Sequence, residues 1–174
     1  MKYYVKTDEI REKAPLLHAG DEVFLSGTVY CARDAAHKRI TALLNENGPL
    51  PFSLKDAVIY YCGPTPAKPG EVIGSAGPTT SSRMDAFMPL FLENGLAATI
   101  GKGGRSEKVN EEMKKHGALY LAAMGGAGAI AAKCIISCEV IAFPELGCES
   151  VKKMEFSDFP LIVGNDIYGN TLFK

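Results

Sequence analysis

Along residues 22–32 apolar and polar side chains alternate, with Val23, Leu25, Gly27, Val29 and Cys31 on one face and Phe24, Ser26, Thr28 and Tyr30 on the other. A period of two puts successive side chains on opposite sides of an extended backbone, so this segment predicts a strand. The period then changes. Over residues 33–48, Ala36, Ile40, Leu43 and Leu44 recur at helical spacing and Asn47-Gly48 supplies a stop, so a helix follows directly with Arg33 at the junction. AVIYYCG (57–63) reads as a buried strand, and GPTPAKPGE after it as a stiff polar loop. EVIGSAG (71–77) predicts a short strand ending in Gly77-Pro78. Residues 79–95 predict a helix with hydroxyls at its start, Asn94-Gly95 at its end, and a kink or early stop at Pro89.

LAATIG (96–101) predicts a further strand, GKGGR a glycine-rich loop, and residues 106–117 a helix capped by Ser106 and closed at Gly117. ALYLAAM (118–124) and GGAGAIAAK (125–133) repeat the order of strand, turn and helix. SCEVIAF (137–143), ESVKKMEF (149–156), PLIVGND (160–166) and GNTLFK (169–174) predict closing strands, with a turn at 166–170. Strands that alternate with helices and then follow one another give an α/β class with a mixed sheet.

Composition narrows the partners. The 174 residues are expected to form one domain, 1–174, large enough to bury its own core. Nineteen basic against twenty acidic side chains leave a net charge of −1, so no bulk field favours nucleic acid or an anionic membrane, and any anion must be held locally. No window approaches the roughly 18 apolar residues of a membrane span, and the first residues lack the apolar core of a signal peptide; a cytoplasmic location is expected. Five cysteines (Cys31, Cys62, Cys134, Cys138, Cys148), an odd number set in apolar runs, are expected to be reduced, mostly buried and structural.

Four stretches could carry chemistry. In GSAGPTTSSRMD (74–85) a strand end gives way to two threonines and a helix entry with serines and an arginine. Unpaired N–H groups and a partial positive charge there suit a carboxylate or phosphate, Thr79 and Thr80 can donate from their hydroxyls, and Arg83 can grip a carboxylate with two parallel N–H bonds. The plain alternative is a hydroxyl cap with a solvated arginine. In IGKGGRS (100–106) Gly95 stands one residue too far from Gly101-Lys102, and Gly103 occupies the place of the magnesium-binding hydroxyl, so a nucleotide-hydrolysing phosphate loop is disfavoured. Lys102 between glycines can meet a carboxylate; otherwise the loop is a surface loop with ordinary lysine and arginine. GGAGAIA (125–131) matches GxGxxA at Gly126, Gly128 and Ala131, with Glu145 near the distance of an acidic ribose ligand. Fewer than fifty residues follow it, and close helix–strand packing accounts for the glycines equally. In ARDAAHKR (32–39), Arg33, His37 and Lys38 could face one anion if the helix entry points inward.

GPTTSSRMD, the IGKG loop at 100–103, the glycine turn before a helix, ELG at 145–147 and DFP at 158–160 together resemble, in order and spacing over nearly the whole chain, the β-subunit or C-terminal domain of iron–sulfur hydro-lyases. That family comprises class I fumarate hydratase and L(+)-tartrate dehydratase. The resemblance implies a swivelling β/β/α domain with a mixed sheet. It also implies a 4Fe–4S cluster held by cysteines of a partner α-subunit or N-terminal domain, not by this chain, and acting as Lewis acid on the departing oxygen. Arg33, Arg83 and Lys102 match the family's cationic substrate contacts. Thr79 matches a hydroxyl implicated in proton transfer, and Thr80 completes the carboxylate site. The expected reaction is reversible hydration of fumarate to L-malate in a hetero-oligomer that could include a β–β dimer, this chain being active only with its α-subunit. Dehydration of L(+)-tartrate to oxaloacetate is the near alternative. A stand-alone small-anion or dinucleotide-binding module is the reading from another class.

Overall fold

The computed structural model describes residues 1–124 and 128–174. Among the described residues seven strands form one sheet in the order β1-β2-β3-β4-β5-β7-β6. They are β1 (Lys2–Lys6), β2 (Glu22–Cys31), β3 (Val58–Tyr60), β4 (Ala98–Gly101), β5 (Leu119–Ala122), β6 (Ile135–Ala142) and β7 (Val151–Asn165). Neighbours from β1 to β5 are parallel, and β7 runs antiparallel to β2, β5 and β6. Because β7 pairs with both β2 and β5, it closes β2-β3-β4-β5-β7 into a ring, with β1 and β6 as added strands.

Parallel neighbours need a crossover between them. After the short α1 (Ile10–Lys13), α2 (Asp34–Asn45) joins β2 to β3, a 3₁₀ segment Ser81–Phe87 running into α3 (Met88–Glu93) joins β3 to β4, and α4 (Glu107–His116) joins β4 to β5. α5 (Gly128–Cys134) precedes β6, and a second 3₁₀ segment, Pro144–Glu149, leads into β7. The alternation read in β2 holds: Val23, Leu25, Val29 and Cys31 enter one apolar cluster with Val58, Tyr60, Phe156 and Phe159. Ile59 and Tyr61, one residue out of step with Val58 and Tyr60, enter a second cluster with Ile40 of α2, Met88 and Phe91 of α3 and Met113 of α4. β3 is thus buried on both faces, as its unbroken apolar run implies.

α4 is capped by Ser106, whose side chain accepts from the Val109 N–H, and ends at Gly117 in the left-handed region (φ 63°), as expected. Residues 71–77 are not a strand. They fold back on Thr65 through Thr65 N to Ser75 O (2.9 Å) and Gly74 N to Thr65 O (3.2 Å), so their backbone groups are satisfied locally. The helix expected over 79–95 divides at Pro89, the second residue of α3, where a missing N–H costs nothing. The two strands expected at 149–156 and 160–166 are one. Ser157, Asp158 and Pro160 read as punctuation, but Ser157 and Asp158 form a bulge opposite β2 in which Asp158 takes φ 47° and its N–H donates to Ser26 Oγ (2.9 Å), and Pro160 is back in register opposite Phe24. GNTLFK forms no strand, only an isolated bridge from Thr171 to Asn165. The turn at 166–170 is built on Asp166, whose carboxylate accepts from the N–H groups of Tyr168 and Asn170. β1 has no counterpart among the expected strands; it is held by five residues of parallel pairing to β2. No helix among the described residues is long and apolar enough to cross a membrane.

Candidate active site

The parallel strands deliver their carboxyl ends to one edge of the sheet, the edge at which α/β sheets place ligands. Arg33 stands two residues beyond β2, as the residue preceding α2. Beyond β3 the chain leaves through residues 63–77 and returns to pair as Cys62 with Pro78 and Thr80 with Lys102. The Thr79 N–H donates to Tyr61 O (2.7 Å), the Lys102 N–H to Thr79 O (3.2 Å) and the Ser81 N–H to Lys102 O (2.9 Å). Residues 78–81 are therefore a short extended rung between the ends of β3 and β4, which places Thr79, Thr80 and Lys102 side by side.

Two glycines make this approach possible. A Cβ on Gly101 would strike Ser81 Oγ and lie 3.2 Å from Thr79 O, so only glycine lets the end of β4 close on the rung. A Cβ on Gly63 would sit 2.7 Å from the Arg33 Cζ, so the guanidinium fills space that any other residue would claim. From there Arg33 Nη1 donates to Thr79 Oγ1 at 3.4 Å, its Nε lies 3.4 Å from Glu149 Oε1, and its Nη2 points to the exposed Cys148 Sγ at 3.9 Å. Thr79 itself is buried, at 7% exposure.

The hydroxyls are not caps. Thr80 occupies the N-cap position of the 3₁₀ segment, yet its side chain makes no capping bond. Arg83 is exposed and donates from Nη2 to Asp34 Oδ2 at 2.5 Å, so the first residue of α2 already holds one side of this candidate carboxylate grip. Lys102 reaches out from the rung, exposed.

Sequence reasoning missed the groups that hold the site together. Arg105, read as an ordinary loop arginine, has a fully buried side chain. It donates to Asp85 Oδ1 (2.8 Å), Tyr61 Oη (2.9 Å) and Thr99 Oγ1 (3.1 Å), while Asp85 Oδ2 accepts from the Ser106 N–H (2.8 Å). The glycine loop and the RMD turn are thereby clamped together. Ser81 Oγ donates to Tyr120 Oη (2.8 Å), which donates to Gly103 O (2.6 Å); burial pushes the Tyr120 hydroxyl up to about 12, so it stays a donor. Glu149 is a second omission. It lies two residues past the ELG stretch, and nothing local to it marks it as a neighbour of Arg33.

Other expectations are corrected. His37 faces no anion: it is buried, stacked on Phe91 with centroids 4.9 Å apart, and its Nδ1 lies 2.8 Å from Arg33 O. Desolvation lowers it to about 4, so the ring is neutral and Nδ1–H is the donor to that carbonyl. Lys38 is exposed on the outer side of α2. In the GxGxxA match, Gly126 lies outside the described residues, Gly128 opens the seven-residue α5, and Glu145 is engaged by Arg39 Nη2 at 2.8 Å. Of the thiols only Cys31 and Cys62 are buried, with Sγ atoms 3.0 Å apart; Cys134 and Cys138 are half-buried and Cys148 is exposed. Among the described residues no three His, Cys, Asp or Glu side chains gather as a metal-holding group. A cavity of about 530 Å³ between residues 65–75 and α5 contains none of the five candidate residues.

Residues 2–174 match the family model described as Fumarase C-terminus. The chain is 42% identical over 172 residues to fumarate hydratase 2 of Leishmania major, covering 95% of this chain and 30% of that protein. It is 40% identical over 152 residues to the aerobic class I fumarate hydratase of Escherichia coli K12, covering 86% and 28%. It therefore spans under a third of these relatives. A relative of similar length is the "Putative L(+)-tartrate dehydratase subunit beta" of Methanocaldococcus jannaschii, 38% identical over 164 residues, 91% of this chain and 84% of that protein. With its whole described fold matched, this chain belongs to the fumarase C-terminus family, which it shares with class I fumarate hydratases and a tartrate dehydratase β-type subunit.

Proposed function

We propose that this chain is the β-type half of a hydro-lyase that interconverts fumarate and L-malate, working with an α-subunit that carries a 4Fe–4S cluster. In this reading the cluster's ligands belong to the α-subunit, and this chain's part in the reaction is to bind the substrate and move the proton. The observation that carries the reading is the Arg33–Thr79 contact, a guanidinium donating at 3.4 Å to a buried threonine hydroxyl on the carboxyl-end edge of the sheet. It is supported by relatives named as fumarate hydratases.

Hydration and its reverse move a proton at the carbon beside a carboxylate, and negative charge builds on that carboxylate in the carbanion-like intermediate. Fixed cationic donors lower the energy of such a charge because they need no reorganisation as it forms. Arg83, Lys102 and Arg33 supply three cations around the rung. Arg83 binds one substrate carboxylate through nitrogen not taken by Asp34, Thr80 and Lys102 bind alongside it, and Thr79 Oγ holds the proton being moved. A threonine hydroxyl is far too weak an acid to do this unaided; a guanidinium donating to its oxygen stabilises the deprotonated form.

The test is an anaerobic hydratase assay of this chain mixed with its cluster-reconstituted α-subunit, with each chain alone as control. Activity with fumarate and L-malate only in the mixture is expected. Arg83→Ala should raise KM and lower kcat together, because the carboxylate grip also orients the reacting carbon; unchanged constants would remove Arg83 from the site. The relative of matching length favours a second reading, an L(+)-tartrate dehydratase β-subunit, and L-tartrate run in parallel decides between the two.

A further inference from the structure

We infer that Glu149 is a positioning residue for the Arg33–Thr79 pair: its carboxylate holds the guanidinium at the orientation from which Nη1 meets the threonine oxygen. The inference rests on the proposed role of Thr79 for its consequence in catalysis, but the geometry stands by itself. Arg33 Nε is shut off from solvent and has no hydrogen-bond acceptor among the described residues, and the charge facing it is the Glu149 carboxylate, with Oε1 at 3.4 Å. Without that charge, a cation three-quarters buried would lack compensation on its inner side and would swing toward solvent and Cys148.

The placement of Glu149 is itself built. Its Oε1 also accepts from the Ala35 N–H at 3.3 Å, in the first turn of α2, so one oxygen ties the helix entry and the guanidinium to the same point. The backbone on either side is pinned by Lys152, a buried ammonium bonded to the carbonyls of Cys148 (3.1 Å) and Ser150 (3.1 Å) and to Ser150 Oγ (2.9 Å). One turn along α2, Arg39 bonds Glu145 at 2.8 Å and lies over the Phe143 ring at 5.1 Å. The segment before β7 is thus fastened along α2, and Glu149, its last residue, meets Arg33. A chain of contacts runs from the Glu149 carboxylate through a guanidinium to the hydroxyl, and the buried Lys152 holds the backbone on either side of its start.

Two variants separate shape from charge. Glu149→Gln keeps an acceptor for Ala35 and is expected to melt with the wild type, whereas Glu149→Ala removes both functions. In the chain alone, NMR of the Arg33 Nε–H and the Thr79 methyl group reads the geometry without any assay. Both variants should move the Thr79 methyl resonance in the direction that Arg33→Ala moves it; a Thr79 resonance unchanged by either would overturn the inference. In the mixed enzyme Glu149→Gln should lower kcat/KM about tenfold in the wild-type background and less than about twofold when Arg33 is already alanine, since coupled residues lose additivity. Equal losses in both backgrounds would mean that Glu149 does not act through Arg33. A wild-type mixture inactive on fumarate, malate and tartrate would count against the proposed function, and the Thr79 resonance would still decide the positioning role.

Discussion

At the scale of single residues, the site depends on a missing side chain. Gly63 carries no positive φ, yet its Cβ position coincides with the Arg33 guanidinium. The obstructing atoms are the far end of a flexible side chain, so Gly63→Ala is expected to leave the melting temperature nearly unchanged while displacing Arg33 from Thr79. In the reconstituted mixture kcat/KM should fall by about tenfold or more, a loss of roughly 1.4 kcal/mol or more in transition-state stabilisation; retained activity would show that Arg33 works from another orientation. Thiol exposure gives a second expectation. Iodoacetamide should label Cys148 first and Cys134 and Cys138 slowly, leaving Cys31 and Cys62 untouched until the chain is denatured, as peptide mass spectrometry would read. Arg33 and Thr79 were legible as candidates because each stands where a strand gives way to a helix. Glu149 was not: its meaning depends on Arg33, 116 residues earlier, and no local pattern reports a pairing made by the sheet's closure.

At the scale of elements, two loops that read as separate features are one unit. The RMD turn and the glycine loop meet through Asp85 and Arg105, an ion pair of 2.8 Å whose arginine is fully buried. Arg105→Ala leaves a carboxylate without its main partner in a low-dielectric setting and opens a hole between Tyr61 and Tyr120. A cost of about 3–5 kcal/mol in urea unfolding is expected, and Arg105→Lys should recover only part of it because a point charge cannot serve three acceptors in a fork. A change below about 1 kcal/mol would deny the clamp its role. Both loops were found from their glycines and hydroxyls, whereas the clamp was not, since a buried arginine and a solvated one look alike in sequence. The same limit explains the split of β7. Ser157-Asp158 and Pro160 are turn signals in isolation, and only the partner strand shows that the chain passes through the first two as a bulge and pairs Pro160 with Phe24.

At the scale of the whole molecule, stability should carry the signature of one buried imidazole. His37 is neutral in the folded state, lowered by desolvation to about 4, while in the unfolded chain it takes up a proton near 6.5. Between those values the unfolded state binds more protons, so stability rises with pH from about 4 to 6.5; on acidification the loss begins near 6.5 and is complete below 4. The full effect is roughly 3 kcal/mol. His37→Phe, which keeps the stacking on Phe91, should flatten denaturation midpoints measured across that range; an unaltered pH profile would place the dependence elsewhere.

The ring closure has a consequence in time. β2 and β7 pair from Glu22 with Ile162 to Cys31 with Lys152, joining segments separated by most of the chain. During synthesis the first five strands leave the ribosome with one seam open, and the last strand must find both borders of that seam at once. Contacts so distant along the chain repay their loop-closure entropy only once β7 pairs, so folding should be slow. An unsealed seam exposes two unpaired strand edges beside apolar surface, which makes the nascent chain a natural client for a chaperone.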